Sequence, residues 1–453
     1  MRLPTLVAQR LPDRHRRRQF SSLSASNAAV AATSFVMTVA LARALEPEEF
    51  GQLVFALAAA QILYIMLDPR LEDSLIRFVP QIARDGGRGA ATALYERFIG
   101  IDAAIALGAG GLAVAVLLSD LVPLGGVADP GILALAVVQM TAQAPWGTVG
   151  AAYGITDGWA RFGLVDIVRT AVTTCAGLIG LYAGGAAGYL AASAATTAIA
   201  TVVVGLVAWK RMRAAHGPAS SLDALAGKGV GGYTVKSSIA SSLSVGTEQL
   251  PLVVIGFVAG PQVLALFRVA LAPARLFTAM FSPAAGILFP LFSRDAARGS
   301  LERIRSAART WSLLSAAPAL LGAVLAWLTL PSLLPLAFGD AFDATVTAAS
   351  LLACSALVRG TVMWSKVLAL AIGRPGVRIA VLAVETGLLA LASWVLAHRG
   401  LNAIATAHLA IAILVSFIWG VLLRPLTEGH GTVSGRTPDA PVPEPTVRTE
   451  TGG

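Results

Sequence analysis

The sequence predicts an all-α integral membrane protein of about twelve transmembrane helices, set as two six-helix pseudo-repeat lobes around a central cavity. Three observations carry this. Hydrophobic residues make up 56% of the 453-residue chain and charged residues 13%, about half the charge of an average soluble domain. The apolar residues form continuous runs near the ~20 residues needed to cross ~30 Å of hydrocarbon, without the alternation of a membrane β-barrel. Lys and Arg collect in every second connection, the asymmetry that orients membrane helices.

The elements follow in order. Residues 1–21 form a basic leader carrying Arg14, Arg16, Arg17 and Arg18. The run 22–45 behind it is longer than the roughly 7–15 residues of a signal-peptide core, so it reads as an uncleaved first span. Eleven runs follow, near 50–79, 98–118, 131–153, 162–182, 187–209, 234–258, 262–290, 311–330, 343–372, 377–397 and 401–423. With the amino terminus in the cytoplasm, 26 of the 34 Lys and Arg lie on that side, and only Arg43 and Arg399 fall at outer ends. Both termini are therefore predicted to be cytoplasmic. The lobes span 22–209 and 233–423, joined by a cytoplasmic linker at 210–232. Residues 424–453 read as a disordered cytoplasmic tail, because Pro, Thr and Gly dominate there without periodicity.

The halves look related. At an offset of 214 residues Pro47 falls on Pro261, Gly51 on Ala265, Leu53 on Phe267 and Pro69 on Pro283. Six spans per half make the repeats parallel about an axis along the membrane normal, and such repeat interfaces hold substrate sites. Pro145, Pro251, Pro273 and Pro283 lie inside spans and are candidate bending points.

Composition also excludes classes. The net charge of +9 does not mark a nucleic-acid binder, because the cations punctuate apolar runs instead of clustering on one fold. Cys175 and Cys354 are the only cysteines, too few for a disulfide framework or a cysteine metal site. The sequence carries no nucleotide-binding loop and no His cluster at metal spacing, so no enzymatic activity and no bound cofactor are expected.

The stretch LARALEPEEFG (Leu41–Gly51), with Asp68 and Arg70 about twenty residues on, resembles the lipid-linked oligosaccharide flippases of the multidrug/oligosaccharidyl-lipid/polysaccharide (MOP) superfamily. Residues Gly260–Arg294 resemble that family's seventh-to-eighth-span hairpin, including the closing Pro-x-x-Ser-Arg. The resemblance implies a bacterial inner-membrane exporter of O-antigen or polysaccharide units. Its partners would be the lipid-linked oligosaccharide, membrane lipids and polysaccharide-assembly proteins such as a polymerase. A multidrug/cation antiporter of the same superfamily and a membrane-bound glycan polymerase or ligase stay open, although the short outer connections disfavour the polymerase.

Six cations fall inside spans: Arg70, Arg169, Arg268, Arg275, Arg359 and Lys366. Each costs about 2.5–3.5 kcal/mol at a helix centre, so each marks a candidate site. Arg suits phosphate oxygens through its planar fork. Arg268 and Arg275 lie seven residues apart, on one helix face, and Arg275 sits about 20 Å into its span. The candidate phosphate and sugar set is Arg275, Arg268, Arg359, Gln61 (the repeat mate of Arg275), Arg43 and Arg70. Arg70, Asp73 and Arg77 also have the spacing of a self-neutralising helix face, as do Asp166 and Arg169. Glu248, Asp68 and Glu385 are the candidate counter-ions or, if transport is coupled to Na⁺ or H⁺, the coupling carboxylates.

Overall fold

The computed structural model describes residues 30–67, 70–84, 88–119, 126–222 and 229–428, and every regular element among them is helical. The first half holds α1 (Val30–Ala44), α2 (Pro47–Leu67), α3 (Leu71–Arg84), α4 (Arg88–Leu118), α5 (Pro130–Gln143), α6 (Trp146–Asp157) and α7 (Trp159–His216). The second half holds α8 (Val230–Ala297), α9 (Leu301–Phe338), a 3₁₀ turn at Asp340–Thr345, α10 (Val346–Thr361), α11 (Ser365–Ala371), α12 (Pro375–Leu396) and α13 (Leu401–Glu428).

Two of these are folded pairs. A straight α7 of 58 residues would run ~87 Å, far more than a bilayer can cover. It reverses at Gly184 and Gly185, where φ is −157° and +60°. A Cβ added to Gly180 would lie 2.2 Å from the Gly188 carbonyl oxygen, so the two arms touch backbone to backbone. The 68-residue α8 reverses at Gly260, φ +84°, a left-handed value that only glycine adopts freely. With these reversals, and with α2–α3, α5–α6 and α10–α11 each taken as one interrupted span, the described residues give six spans per lobe. The fourth span of each lobe is interrupted: at Ala144–Pro145 in the first lobe, between Thr361 and Ser365 in the second.

Of the four prolines expected to bend helices, Pro145 sits at a break. Pro251, Pro273 and Pro283 stay within the two arms of α8, whose only non-helical residue is Gly260. A helix can keep proline when neighbouring groups satisfy the freed carbonyl. The remaining interruption separates α2 from α3, with Arg70 at φ +46° just before Leu71.

The loops divide into two ends. The basic end carries Arg161, Arg211 and Arg213; the turns at Gly185 and Gly260 lie at the opposite end. At the basic end Asp157 accepts an ion pair from Arg161 (2.9 Å) and another from Arg211. Arg211 also stacks on Tyr153, and Arg213 on Trp209, at 4.6 and 4.4 Å from the ring centres. Long stems lying on aromatic surface while the charge reaches the headgroup layer suit a membrane boundary.

Three cores hold the molecule. One joins the lobes at the opposite end, where Leu53 and Phe55 of α2 meet Leu264 and Phe267 of α8 and Ala349 and Leu352 of α10. Hydrocarbon solvates a leucine as well as protein does, so this seam depends on close packing of small residues. Ala56, Ala58 and Ala60 of α2 and Ala265 and Ala270 of α8 supply them. At the basic end the lobes keep separate cores, one around Leu75, Ile82 and Tyr95, the other around Phe292, Trp364 and Trp419. There the start of α8 seats on the first lobe through the Ser74–Thr234 hydroxyl pair (2.6 Å) and the Phe78–Tyr233 ring contact (5.8 Å). Leu320, Leu321 and Leu328 of α9 and Val202 and Val203 of α7 face outward, as lipid-facing residues do.

Candidate functional site

Between α1 and the second lobe lies a cavity of about 470 Å³. Among the described residues of the first lobe, α1 lines it through Val30, Ser34, Phe35 and Thr38, one face of a helix. From the second lobe both arms of α8 contribute, with α10, α11, α12 and α13. The cavity is layered. Near its closed end, about 10 Å below the Gly260 turn, lie Thr38, Phe267, Arg268 and His408. About 10 Å lower come Glu248, Arg275, Arg359 and Glu385, and Lys366 follows toward the basic end.

Charge in this cavity is unequal. Arg359 of α10 donates to Glu385 of α12, 26 residues away, and Glu385 is buried. That pair is internally neutral. Arg268, Arg275 and Lys366 make no ion pair or hydrogen bond to the described residues. Glu248 is exposed and lines the same cavity. Three cations thus face one free carboxylate. The neighbouring residues hold the layer together: Thr247 and Thr386 share a hydroxyl hydrogen bond of 2.7 Å, joining the first arm of α8 to α12.

The structure brings together Arg275, Arg268, Arg359, Glu248 and Glu385 and leaves the other sequence-derived candidates apart. Gln61 does not line the cavity, because α2 packs along α8 in the shared core instead of facing the space beside α1. Arg43 lies beyond the closed end. There its Nε donates to the Ala337 carbonyl (2.7 Å) and its guanidinium also reaches that of Leu336, where the last carbonyls of α9 lack helical donors. Arg70 sits at the α2–α3 break and pairs with Glu72 at 3.0 Å, and Arg77 stacks on Tyr233 at 4.3 Å. Asp68 falls outside the described residues. The Asp166–Arg169 pair forms at 3.0 Å, with Arg169 also over the Trp146 ring at 4.4 Å. Among the described residues no group of three His, Cys, Asp or Glu is arranged to hold a metal.

Sequence reasoning passed over His408, and it counted Lys366 among the cations inside spans without including it in the candidate set. A lone histidine in an apolar run carries no spacing signal; a cavity-facing cation such as Lys366 is findable by its insertion cost.

The profile of the family described as "Polysaccharide biosynthesis protein" matches residues 17–295, more than half of the chain. No curated protein sequence matches it. Among solved structures the chain is similar to an inward-facing multidrug-resistance MATE transporter of the MOP superfamily, at 12% identity and a TM-score of 0.68, over 88% of this chain and 95% of that one. It is similar also to a MOP superfamily transporter from Pyrococcus furiosus, described as having a binding pocket of reverse polarity, at 14% identity and 0.60 over 91% and 96%. A MATE transporter of Vibrio cholerae aligns at 14% and 0.59 over 90% and 97%. The chain belongs to the polysaccharide biosynthesis protein family, and its fold is that of the MOP superfamily transporters.

Proposed function

We propose that this membrane transporter is a flippase, moving a lipid-linked oligosaccharide from the inner to the outer leaflet of a bacterial cytoplasmic membrane by alternating access. The observation that carries the reading is the uncompensated positive charge of the cavity, where Arg268, Arg275 and Lys366 face Glu248. A phosphate or diphosphate linking sugar to lipid supplies the missing anion, and Arg binds its oxygens in pairs. A cationic drug would meet repulsion in the same place. The glycan and phosphate enter the cavity while the lipid tail stays in the bilayer. The state described, with a shared core at the opposite end and separate cores at the basic end, suits loading from the basic side. Rocking of the lobes then exposes the cavity on the other side.

The experiment is deletion of the gene in its own host. Carrier-linked repeat units are expected to accumulate on the cytoplasmic face, with their synthesis intact. Units that reach the outer leaflet normally but stay unpolymerised would assign the chain to polymerisation and overturn the flippase reading. Glu248 is the one feature that favours the antiporter reading, since a free carboxylate is what a cationic substrate would need; loss of drug resistance with normal glycan export would support it.

Orientation is tested separately. Reporters fused after Gly217 and Gly429 are expected to report the cytoplasm, and one after Gly260 the outside, as the positive-inside asymmetry requires. An outside signal at Gly217 would break the arrangement of six spans on each side of the linker.

A further inference from the structure

The interruption between α10 and α11 has no proline to cause it. Residues 346–373 contain none, whereas the matching break in the first lobe carries Pro145. A kink without proline needs a glycine or a side chain inserted into the helical ladder, and both are present. Gly360 weakens the helix, and two side chains of α9 take the carbonyls beside it. The Trp311 indole N–H donates to the Gly360 carbonyl at 3.3 Å, and the Ser312 hydroxyl donates to that of Thr361 at 2.8 Å. The same hydroxyl accepts from the Trp364 indole N–H at 2.9 Å. Trp364 is buried, with its ring edge-on to that of Trp419 at 6.3 Å. Ser312 therefore grips the interruption on both sides, at Thr361 and at Trp364.

Between Arg359 and Lys366 the N–H groups of Val362, Met363, Ser365 and Lys366 bond three residues back instead of four, at 2.9–3.3 Å. Such 3₁₀ bonding winds the chain by about 120° per residue, against about 100° in an α-helix. A return to α geometry over residues 362–364 would turn Lys366, just beyond them, by about 60°. Arg359, on the other side of the break, is held by Glu385. The direction in which the Lys366 ammonium enters the cavity therefore depends on α9, although neither Trp311 nor Ser312 lines that cavity. We propose that Trp311 and Ser312 are positioning residues for the phosphate group of the substrate: they keep the span interrupted and so aim Lys366 at that group. The inference rests on the flippase reading and gives one of its three cations a support from outside the cavity.

The test uses the full-length protein in lipid nanodiscs, with the intact lipid-linked unit extracted from the deletion strain as probe. Equilibrium binding and melting temperature are measured for each variant. Lys366→Gln is expected to weaken binding roughly tenfold, the scale of one charge-assisted hydrogen bond. Ser312→Ala and Trp311→Phe, singly and together, remove the grip without touching the cavity, and the double variant is expected to approach the same tenfold loss. The decisive readout is the double-mutant cycle. In a Lys366→Gln background the two α9 substitutions should weaken binding no further, because the side chain that they aim is gone. A general loosening of α9 would instead lower binding by the same factor in both backgrounds, and that result overturns the positioning role. So does wild-type affinity in the folded Trp311→Phe/Ser312→Ala variant. Failure of the wild type to bind the intact unit overturns the flippase reading itself, so the two failures are distinguishable.

Discussion

Arg275→Gln is expected to abolish export of the lipid-linked unit, by more than tenfold, while the protein accumulates in the membrane at normal levels. Arg275 lies on the second arm of α8, half-buried at mid-depth in the cavity, with no hydrogen bond or ion pair to the described residues. A charge held there costs about 2.5–3.5 kcal/mol on insertion scales, so Gln relieves a cost and insertion does not suffer. Function suffers because the carboxamide cannot neutralise a phosphate. Arg275→Lys should keep part of the activity, since an ammonium preserves the charge but lacks the planar fork. The assay is restoration of surface polysaccharide in the deletion strain, with each variant quantified by blot. Full restoration by Arg275→Gln at normal abundance would remove this residue from the phosphate subsite and shift the assignment to Arg268 and Lys366.

Glu385→Gln provides the contrast. It leaves Arg359 without its partner in a buried layer, so it is a change in packing and pairing between α10 and α12 before it is a change in the free charge of the cavity. Removing one member of a buried pair usually costs a few kcal/mol through the charge left behind. Its effect should therefore appear in melting temperature as well as in export, unlike that of Arg275→Gln.

What could be read from the sequence follows from how each signal is encoded. Span existence lies in run length, a local quantity, and the described parts of the twelve runs correspond to helical segments. Reversals were also local, at Gly184–Gly185 and Gly260. Helix ends were not: α4 begins at Arg88, ten residues before the predicted span, because its first turns project beyond the apolar layer while still packing through Ala90, Ala91 and Leu94. The site was legible only in part. Charges inside spans announce themselves by cost, which found Arg268, Arg275, Arg359, Glu248 and Glu385. Which of them neutralise each other is a matter of helix packing, and the Arg359–Glu385 pair joins residues on different helices. Gln61 was inferred from the repeat, but the two lobes do not contribute equally to the cavity. Arg43 shows the same limit, since its partners on α9 lie almost three hundred residues away.

Gly51→Ala is expected to push the transporter toward the state open at the opposite end. A Cβ built on Gly51 would stand 1.9 Å from the Pro261 carbonyl oxygen and 2.4 Å from its carbon. Both partners are backbone, so no side-chain rotation relieves the overlap, and α2 must move away from the turn that begins the second arm of α8. This contact lies at the seam where Phe50, Leu53 and Phe55 meet Leu264 and Phe267. Overpacking of a close seam costs about 1–3 kcal/mol. Because the contact belongs to the state closed at that end, the cost falls on that state and shifts the equilibrium by about five- to 160-fold. The measurement is thiol labelling of a cysteine placed at Leu264, fully buried in the shared core, in a background with Cys175 and Cys354 replaced. Labelling should speed up by the same factor in Gly51→Ala and export should fall, because the cavity then spends little time open to its loading side. Unchanged labelling together with normal export would mean that the seam closes without the Gly51–Pro261 approach, and the lobes would have to meet by some other packing of α2 on α8.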